Sequence, residues 1–126
     1  MKYQKVMIVD DEADVLVFLS YNFKNAGYMT FTAEDGVEGL KKIREVKPDL
    51  VISDIRMPHM DGIELCKKMK SESETSDIPI VFLTADDDEY LALSAVMAGA
   101  EHYMTKPASV PALIKMANGL IASQNK

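Results

Sequence analysis

Five side chains in this sequence could do chemistry together: Asp10, Asp11, Asp54, Thr84 and Lys106. Each stands at or next to the end of a short apolar run. Val6-Met7-Ile8-Val9 runs into Asp10-Asp11, Leu50-Val51-Ile52-Ser53 into Asp54, Ile80-Val81-Phe82-Leu83 into Thr84, and the stretch from His102 to Thr105 into Lys106. If these runs are parallel strands of one sheet, all five side chains reach the same edge. Three close carboxylates repel one another, so they titrate high or bind a cation, and hard oxygen ligands around an open position suit Mg²⁺. Such an ion beside an ammonium and a hydroxyl can hold the equatorial oxygens of a phosphoryl group. A carboxylate such as Asp54 can then be the nucleophile and form an aspartyl phosphate. Singly, each residue has an ordinary explanation as a helix cap, a strand-end hydroxyl or a solvated charge. Four strand ends carrying three acids, a hydroxyl and a lysine would need four such explanations at once, and one shared site replaces them all.

The elements that must position these residues follow from periodicity. After Asp11, residues Val15, Leu16, Leu19 and Phe23 share a helical face that Gly27 closes. A second strand over residues 28–33 precedes a helix with Val37, Leu40 and Ile43 on one side and Lys41, Lys42, Arg44 and Glu45 on the other; Lys47-Pro48 stops it. The run to Asp54 is followed by a loop with Pro58, then a helix over residues 62–70 offering Ile63, Leu65, Cys66 and Met69 for burial. Residues 71–77 read as a loop and residues 78–83 as the next strand. The acidic cluster Asp86-Asp87-Asp88-Glu89 suits the start of a helix that ends at Gly99. The final helix places Val110, Leu113, Ile114, Ala117, Leu120 and Ile121 at core spacing, with Pro111 in its first turn and fraying expected over residues 123–126. Five strands alternating with five helices predict an α/β domain with a parallel sheet and helices on both faces.

Composition agrees with one such domain over residues 1–126. A chain of this length buries roughly two-thirds of its unfolded surface without a metal or disulfide staple. Hydrophobic residues make up 48% and charged residues 27%, so there is no sign of wholesale disorder. The single cysteine, Cys66, excludes an intrachain disulfide and a cysteine zinc site, which fits a reducing cytoplasm. No apolar run approaches a membrane span, and no apolar segment follows the N-terminal lysine to make a signal peptide. A net charge of -6 argues against a nucleic-acid-binding surface.

Several motifs, in this order, resemble the response-regulator receiver domains (CheY-like) of two-component signal transduction: Ile8-Val9-Asp10-Asp11-Glu12, Ser53-Asp54-Ile55-Arg56-Met57-Pro58 with Met60-Asp61-Gly62, Leu83-Thr84-Ala85, Ala98-Gly99-Ala100 with Tyr103, and Lys106-Pro107. The resemblance spans essentially the whole chain. It implies a flavodoxin-like (βα)5 fold with strand order 2-1-3-4-5. It implies Asp54 as phosphoacceptor, Asp11 as a direct Mg²⁺ ligand, Asp10 as a ligand acting largely through water, and the backbone carbonyl of Arg56 in the metal shell. Lys106 would pair with the phosphoryl group and Thr84 would bond one of its oxygens. That movement would be coupled to an inward swing of Tyr103, reshaping the surface of the fourth helix, fifth strand and fifth helix. A cis Lys106-Pro107 bond is also implied. Implied partners are a histidine kinase or histidine phosphotransfer protein as donor, a downstream output protein or domain, and a homodimer on phosphorylation. Ala108 stands where many such domains carry phenylalanine. Arg56 and Asp86 sit two residues beyond Asp54 and Thr84, where they are expected to pair across the site mouth and slow hydrolysis.

Three readings from other classes compete with this one. A Mg²⁺-dependent phosphohydrolase of the haloacid-dehalogenase type carries a second acid two residues after its nucleophile, where this chain has Arg56. A phosphorylation-independent interaction module has no need of the full set of Asp10, Asp11, Asp54, Thr84 and Lys106. A flavin-binding reading lacks a Ser/Thr/Gly-rich phosphate loop after the first strand. His59 and His102 read as loop and strand-edge residues, Cys66 as a buried hydrophobe, and the nine methionines mostly as core, with Met97, Met104 and Met116 near the surface that would change.

Overall fold

The structure, a computed structural model, describes residues 3–86 and 88–124. Its elements are β1 (Lys5–Val9), α1 (Ala13–Asn25), β2 (Met29–Ala33), α2 (Gly36–Val46), β3 (Leu50–Ser53), α3 (Gly62–Ser71), β4 (Ile80–Thr84), α4 (Glu89–Ala98), β5 (His102–Thr105) and α5 (Val110–Gln124). All strand pairings are parallel and the sheet order is β2-β1-β3-β4-β5, as expected.

Side chains alternate across a strand, so each central strand feeds two cores. Val6, Ile8, Leu50, Ile52, Val81 and Leu83 point to the face covered by α1 and α5. Met7, Val9, Val51, Ile80 and Phe82 point to the face covered by α2, α3 and α4. Residues of β1, β3 and β4 are therefore almost wholly buried, whereas β2 and β5 are the partly exposed edges. Leu16, Leu19 and Phe23 of α1 are buried, and each contributes roughly 1.5–3 kcal/mol by leaving water.

Helix starts are set by local chemistry. The side chains of Asp35, Asp61 and Asp88 each accept a backbone N–H bond at the first turn of α2, α3 and α4, respectively. The cluster expected at the start of α4 thus supplies its cap from Asp88, while Asp87 lies outside the described residues.

Some expectations change. Val37 does not face the core but is 53% exposed. The buried stripe of α2 is Gly36, Gly39, Leu40 and Ile43: Gly36 lies against Met60, and a Cβ at residue 39 would stand 3.1 Å from Val9, so the missing side chain lets the helix lie close to the sheet with Val37 outward. β4 starts at Ile80 and not at Ile78, since the Ile78 N–H is spent on a turn to Thr75 and Pro79 has none to give. Tyr28 precedes β2; its N–H bonds the Phe23 carbonyl and its ring meets Phe23 edge-on at 5.4 Å. α5 continues through Ser123 to Gln124, so fraying does not begin at residue 123, and residues 125–126 lie outside the described set. Among the described methionines only Met7 and Met69 are fully buried, while Met29 and Met97 are exposed.

Candidate functional site

Parallel pairing brings the carboxyl ends of β1, β3, β4 and β5 to one edge, the place where open α/β sheets hold ligands. The backbone there is tightly specified. The Asp54 N–H bonds the Val9 carbonyl at 2.9 Å, the Asp10 N–H bonds Ala33 at 3.1 Å, and the Lys106 N–H bonds Thr84 at 2.7 Å. Each functional residue thus sits one step past the last ladder bond of its strand.

The Lys106 ammonium lies 2.9 Å from Asp10 Oδ2, 3.5 Å from Asp54 Oδ2 and 3.7 Å from Glu12 Oε1. Asp10 is only 2% exposed and Asp54 8%. Burial pushes the Asp10 carboxyl above its ordinary 3.8, against the lowering effect of the Glu12 N–H and of Lys106; the Asp54 charge pushes the same way as burial. For Lys106, burial alone would favour the neutral amine, but Asp10, Asp54 and Glu12 together hold its pKa above 10.5. Asp54 Oδ1 accepts the Ile55 N–H at 2.7 Å, which leaves Oδ2 on the lysine side.

Carboxylate oxygens of Asp10, Glu12 and Asp54 lie within 4.8 Å of one another. Hard anionic oxygens in that number fit a divalent cation such as Mg²⁺. Asp11 is not in this group; it is exposed and lines the cleft mouth with Glu12, Asp54, Arg56, Thr84 and Asp86. Glu12 is the acid that sequence reasoning passed over. It is the N-cap of α1 yet makes no side-chain cap bond, so its carboxylate turns to the cleft. Its place in the same motif as Asp10 and Asp11 was the available signal.

Across the cleft, Thr84 is buried, and its Oγ1 accepts the Asp86 N–H at 3.2 Å. Asp86 is a junction. Its Oδ2 accepts from Arg56 Nε at 2.7 Å, its Oδ1 from the Asp88 N–H at 3.0 Å, and its carbonyl from Tyr103 Oη at 2.6 Å. The expected Arg56–Asp86 pair is thus formed at the mouth, and the Arg56 guanidinium, followed by the Asp88 N–H, holds the Asp86 carboxyl below its ordinary value. The other wall is pinned to α2. The Met60 carbonyl accepts the Gly36 N–H at 3.1 Å, His59 Nδ1 lies 2.8 Å from Asp35 Oδ2, and the Gly62 N–H bonds the Ile55 carbonyl at 2.7 Å. His59 is a loop residue with φ 70°, and His102 an exposed residue of the edge strand β5. Cys66 is buried, its thiol pushed up to about 11 chiefly by desolvation. The Lys106-Pro107 peptide is cis, as implied by the resemblance.

These observations define a class: a flavodoxin-like α/β domain with an acidic cleft and a half-buried lysine at the carboxyl edge of its sheet. The chain belongs to the response regulator receiver domain family, whose model matches residues 6–118. It is 42% identical over 106 residues to the alkaline phosphatase synthesis transcriptional regulatory protein PhoP of Bacillus subtilis (strain 168); the match covers 84% of this chain and 43% of that protein, less than half its length. Among solved structures, the chemotaxis protein CheY4 of Vibrio cholerae is 31% identical with a TM-score of 0.88, over 94% of this chain and 99% of that one. A CheY-like response regulator receiver domain protein of Methanospirillum hungatei JF-1 has a TM-score of 0.93 at 25% identity, over 98% of each chain. The protein is thus a receiver domain of the two-component type. No helix among the described residues is long and apolar enough to cross a membrane.

Proposed function

We propose that residues 1–126 form one cytoplasmic switch domain that accepts a phosphoryl group on Asp54 from the phosphohistidine of a histidine kinase or phosphotransfer protein. The observation that carries this reading is the Lys106 ammonium set between Asp10 and Asp54, side chains from three different strand ends. Asp54 Oδ2 attacks phosphorus, a P–O bond forms, the P–N bond breaks, and its electron pair stays on the imidazole nitrogen. A Mg²⁺ held by Asp10, Asp11, Asp54 and the Arg56 carbonyl, with Glu12 at hand, would neutralise charge on the phosphoryl oxygens. Lys106 supplies a fixed positive charge beside the new phosphoryl group. Thr84 can release the Asp86 N–H and donate its own hydroxyl proton to a phosphoryl oxygen.

That release bears on Tyr103, whose hydroxyl is bonded to the Asp86 carbonyl. The link gives Tyr103 a reason to turn inward when Asp86 moves, and α4, β5 and α5 make the surface offered to an output protein, an output domain or a second copy. No direct contact with nucleic acid is assigned to this acidic domain, and none with a membrane. The domain acts as a switch and not as a turnover enzyme on an outside substrate. Arg56, at the position where a phosphohydrolase of the haloacid-dehalogenase type would carry its second acid, supports that choice.

Intact-protein mass spectrometry after incubation with acetyl phosphate tests the reading. Wild type should gain one phosphoryl group in the presence of Mg²⁺, and Asp54→Asn should gain none. No adduct on wild type, together with no binding of beryllofluoride, would overturn it.

The Arg56–Asp86 pair closes the mouth through which water must reach the acyl phosphate. Arg56→Ala and Asp86→Ala are each expected to shorten the lifetime of the phosphorylated protein several-fold, read as decay of the mass adduct after the donor is removed. Unchanged lifetimes in both would mean that the pair does not gate water.

A further inference from the structure

Among the described residues, the buried polar and charged side chains are Asp10, Ser53, Asp54, Thr75 and Thr84. The two acids and Thr84 belong to the cleft, and the Thr75 hydroxyl donates to the Met69 carbonyl at 2.8 Å, closing the end of α3. Ser53 has no such place. It is the last residue of β3, wholly buried, and in register with Val9 of β1 and Phe82 of β4, both on the face covered by α2, α3 and α4. A hydroxyl among apolar neighbours is costly unless it is bonded. Its Oγ donates to the carbonyl of the next residue, Asp54, at 2.7 Å.

That carbonyl lies past the end of the strand. The Asp54 N–H makes the last bond to β1, at Val9, and the Gly62 N–H goes to the Ile55 carbonyl. Among the described residues Ser53 is the one donor to the Asp54 carbonyl oxygen. A Cβ at residue 62 would stand 2.2 Å from that oxygen, so the start of α3 closes over it. The other end of the same peptide, the Ile55 N–H, donates to Asp54 Oδ1 at 2.7 Å. The Asp54–Ile55 peptide is therefore gripped at both ends, and a donor on its carbonyl polarises the amide and strengthens its N–H. With Oδ1 tied down, Oδ2 is the oxygen left toward Lys106, 3.5 Å away. We infer that Ser53 is a positioning residue for phosphoryl transfer, its hydroxyl acting through this peptide to fix the rotation of the acceptor carboxylate so that Oδ2 attacks; the inference rests on the function proposed above. A residue that only filled space would have no need of the hydroxyl.

Ser53→Ala removes the hydroxyl and nothing else. The probe is acetyl phosphate at saturating Mg²⁺: Oδ2 forms a bond to phosphorus, the bond from phosphorus to the acetate oxygen breaks, and its electron pair leaves with acetate. Ser53→Ala should lower the limiting rate of modification about tenfold, with the half-saturating acetyl phosphate concentration within about twofold of wild type, because a small rotation of the nucleophile costs rate and not binding. In the same variant the Ile55 amide proton resonance should move upfield as its bond to Oδ1 loosens. Ser53→Thr keeps the hydroxyl and should restore both the resonance and the rate. A wild-type limiting rate in Ser53→Ala, a loss of rate with the Ile55 resonance unmoved, or a threonine variant that recovers the resonance without the rate would each overturn the inference. Failure of both acetyl phosphate and beryllofluoride to engage wild type would instead overturn the proposed function, so the two failures are distinguishable.

Discussion

Lys106→Met is expected to destabilise the Mg²⁺-free protein by about 3 kcal/mol at pH 8, because removing this half-buried cation leaves the buried Asp10 and Asp54 carboxylates with no opposite charge beside them. Among the described residues, Lys106 is the only cation paired with Asp10, Glu12 and Asp54. The loss should depend on pH in a stated direction. Asp10 already titrates above 3.8 because of burial, and Lys106 opposes that rise. Without the lysine the folded-state value climbs further, so the variant's native state binds more protons than its unfolded state from about pH 4 upward to that raised value. Stability of the variant therefore falls as pH rises through this window, and its deficit against wild type is largest above the window and smallest near pH 4. Urea melts in EDTA at several pH values measure this. Added Mg²⁺ should recover much of the deficit by binding the native state alone. A deficit independent of both pH and Mg²⁺ would mean that the lysine's packing, and not its charge, matters.

Gly62→Ala is expected to cost about 3 kcal/mol, at the upper end of overpacking effects. A Cβ at this position would stand 2.2 Å from the Asp54 carbonyl oxygen, 2.8 Å from Phe82 Cε1 and 3.0 Å from Ile55 Cα. Two of those three atoms are backbone, and both belong to the segment that carries the acceptor aspartate. Relief can come only by moving α3 or the Asp54–Ile55 peptide, so the rate of acetyl phosphate modification should fall about tenfold as well, since small misplacements cost rate steeply. Gly119→Ala is the matched control. It lies in α5 with open space around it, and the change should raise stability by up to about 1 kcal/mol by favouring helix. If both variants melt alike, the clash at residue 62 is relieved more easily than its geometry implies.

The parts of this fold that depend on one element at a time were legible in the sequence. Apolar runs of four or five residues marked the strands, and their last residues marked the sheet edge at which Asp10, Asp54, Thr84 and Lys106 meet. Strand order came from the resemblance, since periodicity carries no information about which strand lies beside which. What was missed depends on the approach of two elements. Val37 has the right spacing for burial, but the angle at which α2 lies on Val9 is set by Gly39. Glu12 shares a motif with Asp10 and Asp11, but that its carboxylate faces the cleft depends on the path of the chain after β1. Pairing of Arg56 with Asp86 was foreseen because both flank functional positions. The link from His59 to Asp35 was not, because no pattern connects a loop histidine to the cap of a different helix.

That link has a mechanical consequence. One wall of the cleft is tied to α2 by the Gly36–Met60 backbone bond and the His59–Asp35 contact, and to the start of α3 by the Gly62–Ile55 bond. On the opposite wall the side-chain bonds gather at Asp86, which touches Thr84, Asp88, Tyr103 and Arg56. The bonds of one wall of the cleft therefore lead into α2 and α3, which frame it, while those of the other lead toward α4 and β5.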